Sequence, residues 1–151
     1  MMKTMPLRPV LGLIALALAT GCERKPAVTA EDVVITLPAM PGAPGAAYFR
    51  LETNTVPERL TGITSPAAER VELHETRMNG AMAGMAPLDR PAFDADRSLA
   101  FVPGGRHAML FGVKSGLKPG DRVAISFAFE QAQPLTVEAE VRGPGQGHAG
   151  H

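Results

Sequence analysis

The sequence contains few of the residues that commonly build redox centres, disulfides or charged binding surfaces. Among its 151 residues there is one cysteine, Cys22, one tyrosine and no tryptophan. A single cysteine excludes a disulfide within the chain and leaves no cysteine cluster for a metal or redox centre. The 15 basic and 15 acidic residues balance, so no net charge attracts nucleic acid or an acidic membrane surface.

Long hydrophobic runs are also missing. The apolar stretch "VLGLIALALA" at 10–19 is too short for a membrane-spanning helix, which needs about 20 residues. It follows the positive residues Lys3 and Arg8 and ends in "TGC", a pattern typical of a lipoprotein signal peptide cleaved before a lipid-carrying cysteine. We predict a signal peptide at 1–22 and a lipid anchor on Cys22, which place the protein on the periplasmic side of a membrane. The alternatives are an ordinary secretory signal, giving a soluble periplasmic protein, and an uncleaved anchor.

Turn-forming residues are abundant, with 16 glycines and 14 prolines, and they favour short strands over long helices. Between residues 32 and 142, apolar and polar residues alternate, or β-branched residues cluster, in short segments with turn signals about every ten residues. This pattern predicts an all-β sandwich or barrel of seven to eight short strands. The segments are 32–37, 46–53, 58–65, 69–76, 98–103, 106–113, 122–130 and 135–142.

Three segments show no strand pattern. The polar residues 23–31 are predicted to tether the domain to the membrane, and the glycine-rich residues 143–151 are predicted to form a flexible tail. Residues 77–96 are predicted to be irregular, with at most one helical turn. The folded domain is therefore assigned to residues 32–142.

The stretch "GRHAMLFG" at 105–112 places an imidazole and a thioether in a run typical of a buried strand. His107 and Met109 are two residues apart, so their side chains point to the same face of a strand. Upstream, His74 lies on a predicted strand, and Met85 lies in the methionine-containing stretch that follows. These four side chains are candidates for one shared site, although a single His or Met more often serves only packing.

Two imidazoles and two thioethers form a soft, uncharged ligand set. Such ligands suit Cu(I), whereas they suit Zn²⁺, Mg²⁺ and Ca²⁺ poorly. Each imidazole must be neutral to bind, so the affinity should fall as the pH drops through the histidine range. A blue-copper electron-transfer site requires a cysteine thiolate, and Cys22 lies outside the predicted domain.

The spacing of His74, Met85, His107 and Met109 resembles the H-x10-M-x21-H-x-M pattern of the PCuAC-type periplasmic copper chaperones. The resemblance extends over residues 32–142 and includes "GAAYFRLETN", "ERLTGITSPAAERVELHE" and "VPGGRHAMLFGVKSGLKPGD". It implies a cupredoxin-like β-barrel that binds one Cu(I) through these four residues. It also implies delivery of copper to the CuA centre of cytochrome c oxidase, alongside an SCO-like thiol protein. A lipid anchor departs from the soluble state that is common in that family.

Several alternatives stay open. Copper buffering without a dedicated acceptor, and a metal-free structural sandwich, compete with copper delivery. Met78 or Met82 is able to replace Met85 as the third ligand. Glu72 and Glu75 flank His74. Orientation of the imidazole by one of these carboxylates is one interpretation, and solvated strand-edge charges are the simpler one.

Two further expectations concern the tail and catalysis. His148 and His151 form a weak, open candidate site for Cu(II), which prefers nitrogen and oxygen ligands. A tail that binds no metal is the alternative. No nucleophile elbow, H-E-x-x-H motif or phosphate-binding loop is present, so the chain is predicted not to be an enzyme.

Overall fold

A computed structural model describes residues 27–54 and 57–146. These residues form ten β-strands and no helix. The described part of the chain thus contains no helix that is long and apolar enough to cross a membrane. The predicted signal peptide, Cys22, His148 and His151 lie outside the described residues. The strands are β1 (Val28–Thr36), β2 (Gly45–Thr53), β3 (Glu58–Thr64), β4 (Arg70–Asn79), β5 (Met82–Pro87), β6 (Ala92–Phe93), β7 (Leu99–Phe101), β8 (Arg106–Phe111), β9 (Arg122–Phe129) and β10 (Leu135–Arg142).

The strands form one hydrogen-bonded path in the order β5-β4-β8-β2-β1-β10-β9-β3-β6, with β7 added beside β2. The β1–β10 pair is parallel, and the other pairs are antiparallel. All eight predicted segments correspond to strands, and the all-β prediction is confirmed. The two additional strands are β5 and the two-residue β6.

The sheet curls until its inner faces meet. Phe49 on β2 and Phe127 on β9 are three strand positions apart in the sheet, which would separate them by about 14 Å in a flat sheet. Their ring centroids are nevertheless only 4.9 Å apart, and Phe101 stacks on Phe49 at 4.4 Å. The core therefore lies between two facing parts of one curled sheet, as the sandwich or barrel prediction requires.

The N-terminal boundary of the domain differs from the prediction. Strand β1 begins at Val28 and pairs with β2 from Val28↔Thr53 onward, so the tether predicted for residues 23–31 is too long. Val28 and Ala30 pack against the core, while Thr29 and Glu31 are exposed. The polar residues that suggested a tether are thus the outward positions of an alternating strand.

The stretch predicted to be irregular is largely a β-hairpin. Strand β4 continues to Asn79, and β5 returns antiparallel from Asn79↔Met82 to His74↔Pro87. Gly80 has φ of 63°, and a glycine at the first position of a two-residue turn suits a tight hairpin. Residues 82–87 include alanine, glycine and proline, which are depleted in strands, and contain no β-branched or aromatic residue. The composition therefore gave no signal for this strand.

A buried carboxylate fastens the turn between β9 and β10. Glu58 is only 1% exposed, and it accepts hydrogen bonds from the backbone N–H groups of Arg59, Glu130, Gln131 and Ala132. Burial alone would raise the pKa of Glu58, but these four backbone donors together lower it below its usual value. Glu58 is therefore a structural anion that ties β3 to the β9–β10 turn.

Candidate metal centre

The two predicted histidine ligands face each other across neighbouring strands. His74 on β4 pairs directly with His107 on β8, and their ring centroids are 6.1 Å apart with an interplanar angle of 26°. The next pair along, Leu73↔Ala108, points inward, since Ala108 is fully buried in the core. Because side chains alternate along a strand, the imidazoles lie on the outer face of the sheet.

Met85 reaches the same face from the edge strand. It lies on β5 opposite Thr76, which is two residues beyond His74 on β4. Its sulfur is 3.2 Å from Nε2 of His107, and 62% of the residue is exposed. The candidate loop ligand is thus a strand residue whose position is set by hairpin register.

Met109 completes the row on β8. It is two residues after His107, and it pairs with Glu72 on β4 and Ala46 on β2. Strand geometry places it about 6.7 Å along the same face, where it is half-buried. All four candidate residues therefore share one outer surface near the β5 edge.

The turn before β8 determines which nitrogen of His107 is free. Nδ1 of His107 is 3.2 Å from the Gly105 carbonyl oxygen, and the same oxygen accepts the Thr76 backbone N–H at 3.0 Å. A carbonyl only accepts, so Nδ1 carries the ring proton and Nε2 keeps its lone pair. That lone pair faces the Met85 thioether sulfur, which also carries lone pairs and no proton. The two atoms therefore cannot hydrogen-bond to each other, but both can bind a metal ion.

His74 also presents a nitrogen without a partner. Its side chain is 15% exposed, and its Nε2 lies 3.2 Å from Oε2 of Glu72. Its Nδ1 is buried and makes no hydrogen bond within the described part of the chain. The hydrogen bond from Arg70, and then that from His74, lowers the pKa of Glu72, so this carboxylate is an anion beside the ring.

Hairpin register separates the three candidate methionines. Met82 pairs with Asn79 and thus lies on the opposite face from Met85. Met78 shares the face of Met85 but lies opposite Ala83, nearer the tip of the hairpin. Met85 is the one whose sulfur contacts His107, so the geometry favours it over the two alternatives.

The donor set of this face is nitrogen and sulfur. In residues 27–54 and 57–146, no three His, Cys, Asp or Glu side chains are grouped to hold a metal ion. The two imidazoles and two thioethers instead form a neutral, soft group that fits Cu(I). The structure brings His74, Met85 and His107 together and places Met109 beside them, while their action as ligands stays a prediction.

Solved structures similar to this one include PCuAC domains. The structure titled "Copper-bound PCuAC domain from PmoF2" matches with a TM-score of 0.65 and 22% identity, over 78% of this chain and 93% of that one. The solution structure of CuI-DR1885 from Deinococcus radiodurans matches with a TM-score of 0.60 and 28% identity, over 83% of this chain and 85% of that one.

Sequence comparison assigns the family. The profile described as "Putative lipoprotein LpqE-like" matches residues 28–141, and the chain belongs to this LpqE-like family. A relative named "Putative lipoprotein Lxx21020", from Leifsonia xyli subsp. xyli, is 32% identical over 84 residues, which are 55% of this chain and 51% of the relative. The chain thus spans about half the length of that relative. The resemblance to PCuAC-type proteins inferred from spacing is confirmed.

Proposed function

We propose that this protein is a non-enzymatic carrier that binds one Cu(I) through His74, Met85, His107 and Met109. The observation that carries the proposal is the 3.2 Å approach of His107 Nε2 to the Met85 sulfur, beside the direct cross-strand pair of His74 and His107. The similar structures of PmoF2, which is copper-bound, and of DR1885, which is Cu(I)-bound, support it.

The exposure of the site suits a carrier rather than a permanent metal centre. Met85 is 62% exposed, so a partner's ligand has direct access to the metal from the β5 side. A thioether is a weak, neutral ligand, and its replacement leaves no buried charge behind. Copper would therefore be cargo, which would leave as a partner's ligands replace those of the site one at a time.

The proposed acceptor is the CuA centre of cytochrome c oxidase, with an SCO-like thiol protein alongside. This step is supported by the PCuAC resemblance and by the exposure of Met85 at the candidate site. Loss of the protein should lower oxidase activity, and added copper should restore it. Copper sensitivity with normal oxidase activity would contradict delivery and favour copper buffering.

The proposed location is the periplasmic side of a membrane, with a lipid anchor on Cys22. The family description and the name of the Leifsonia relative both contain the word lipoprotein. Mass spectrometry of the membrane fraction should find a lipid-modified Cys22. An unmodified chain beginning at another residue would contradict the anchor.

A secondary Cu(II) site at His148 and His151 is proposed from ligand chemistry alone. Deletion of residues 147–151 should remove a weakly bound Cu(II) and leave Cu(I) binding unchanged. Unchanged Cu(II) stoichiometry after the deletion would contradict this site.

X-ray absorption of the Cu(I)-loaded protein tests the main site. The proposal predicts two nitrogen and two sulfur scatterers around each copper, and one sulfur fewer in Met85→Ala. Met82→Ala is the matched control, because Met82 lies on the other face of the same strand and should leave the ligand set unchanged. A copper shell without sulfur would contradict the proposal.

A further inference from the structure

On the outer face of β4 and β8, the side chains of Phe111, Arg70 and Glu72 form a row of contacts that leads to His74. The guanidinium carbon of Arg70 lies 4.1 Å from the centroid of the Phe111 ring. Nε of Arg70 donates to Oε1 of Glu72 at 2.8 Å, and Oε2 of Glu72 is 3.2 Å from Nε2 of His74. One carboxylate therefore links an anchored guanidinium to a candidate copper ligand.

This arrangement is more than an isolated surface ion pair, which by itself contributes little to stability. Both oxygens of Glu72 are used, one by Arg70 and the other by His74. Arg70 is itself held by a cation–π contact. The Glu72 carboxylate thus has a defined orientation. It contacts the His74 imidazole, so it influences how that ring is oriented and which of its nitrogens carries the proton.

We propose that Glu72 is a positioning residue that holds His74 with the proton on Nε2 and thereby presents Nδ1 to the metal. A carboxylate only accepts hydrogen bonds, and a neutral imidazole carries a single N–H. The proton therefore belongs to the nitrogen that faces Glu72. Nδ1 keeps its lone pair and is the buried nitrogen without a partner.

The two histidines consequently offer different nitrogens. The Gly105 carbonyl holds the proton of His107 on Nδ1, so His107 presents Nε2, whereas His74 presents Nδ1. Carboxylates and carbonyls that accept from the remote N–H of a metal-binding histidine fix its tautomer and orientation in this manner. The identity of the metal as Cu(I) rests on the proposed function, but the role of Glu72 is measurable without metal.

Glu75 provides a matched control on the same strand. It also flanks His74 in sequence, but it lies on the other face of β4, where its Oε1 accepts from Nε of Arg77 at 2.6 Å. Both glutamates thus pair with an arginine two residues away, and only Glu72 contacts the ring. Glu75→Ala removes an ion pair of the same kind without touching His74.

The experiment is a long-range ¹H–¹⁵N correlation spectrum of the metal-free ¹⁵N-labelled full chain at about pH 8, where an ordinary imidazole is neutral. The expected result is His74 protonated on Nε2, with that proton protected from solvent exchange, and His107 protonated on Nδ1. Glu72→Ala should remove the protection at His74, and Glu75→Ala should retain it. A His74 proton on Nδ1, or equal protection in Glu72→Ala, would overturn the proposal.

Copper binding supplies a second, separable readout. Addition of Cu(I) should move the ¹⁵N resonance of Nδ1 in His74 and of Nε2 in His107, and Glu72→Ala should weaken Cu(I) binding by about 10- to 100-fold. A copper-induced shift at Nε2 of His74 would overturn the assigned ligand atom. If the wild-type protein binds no Cu(I), the proposed function fails, while the metal-free spectra still decide the role of Glu72.

Discussion

The two faces of strand β8 carry different tasks within six residues. Ala108 and Leu110 point inward and are fully buried, whereas His107 and Met109 lie on the outer face and are half-buried. Because side chains alternate at every residue of a strand, the protein places packing residues and candidate ligands in one short segment without conflict. This separation predicts that stability and metal binding can be changed independently.

The largest expected effect is on the inner face. Leu110→Ala should lower the free energy of unfolding by about 2–5 kcal/mol, because it removes buried methyl groups and leaves a cavity. Urea unfolding measures this loss. His107→Ala on the same strand should cost less than about 1 kcal/mol, since the side chain lies outside the core. Equal losses in the two variants would contradict the separation.

The next effect concerns the buried carboxylate of Glu58. Glu58→Gln should lower the free energy of unfolding at neutral pH by about 1–3 kcal/mol, because an amide oxygen accepts less strongly and its NH₂ meets backbone donors. Urea unfolding at neutral pH measures this change.

The pH dependence of that effect has a definite sign. The folded pKa of Glu58 is below its unfolded value, which is about 4.3 for an ordinary glutamate. Its contribution to stability is thus present above about pH 4.3 and is lost as the pH falls through the folded pKa. The difference between wild type and Glu58→Gln should therefore shrink in acid, and a difference that grows there would contradict the assignment.

A smaller effect tests the outer face at the hairpin. Met85→Ala should weaken Cu(I) binding by about tenfold or more, equivalent to about 1.4 kcal/mol, because the proposed site loses one of its two thioethers. Competition with a Cu(I) chelator measures the affinity, and thermal unfolding should change little, since Met85 is exposed.

The smallest expected effect is at Met82, which is 77% exposed and lies on the face opposite Met85. Met82→Ala should change neither Cu(I) affinity nor thermal unfolding measurably. A loss of affinity equal to that of Met85→Ala would mean that hairpin register does not select the ligand.

Sequence patterns predicted much of this fold, because alternating or β-branched segments mark eight of the ten strands in residues 27–54 and 57–146. They missed β5, whose Met82–Pro87 segment lacks β-branched and aromatic residues, and β6, which is only two residues long. They also placed residues 28–31 in a tether, because the exposed side of β1 is polar at those positions.

The sequence predicted which residues to examine as a candidate site but not the contacts that each of them makes. The spacing selected His74, Met85, His107 and Met109, and the structure places them on one face. Which flanking glutamate faces the ring depends on the face of β4 that each one occupies. The ring nitrogen that each histidine presents depends on contacts with Glu72 and the Gly105 carbonyl. From the sequence alone, Glu72 and Glu75 were equal candidates for the contact with His74. No sequence pattern indicates the contact between the Gly105 carbonyl and His107.

The most direct test of the central claim is an anaerobic Cu(I) titration of residues 23–151 against a chromogenic Cu(I) chelator. The double variant His107→Ala/Met109→Ala is measured beside it, with thermal unfolding as the check on folding. The account predicts one tightly bound Cu(I) per wild-type chain and loss of this binding in a variant that remains folded. Equal binding by both proteins, or binding by neither, would contradict a Cu(I) site on the outer face of β4, β5 and β8.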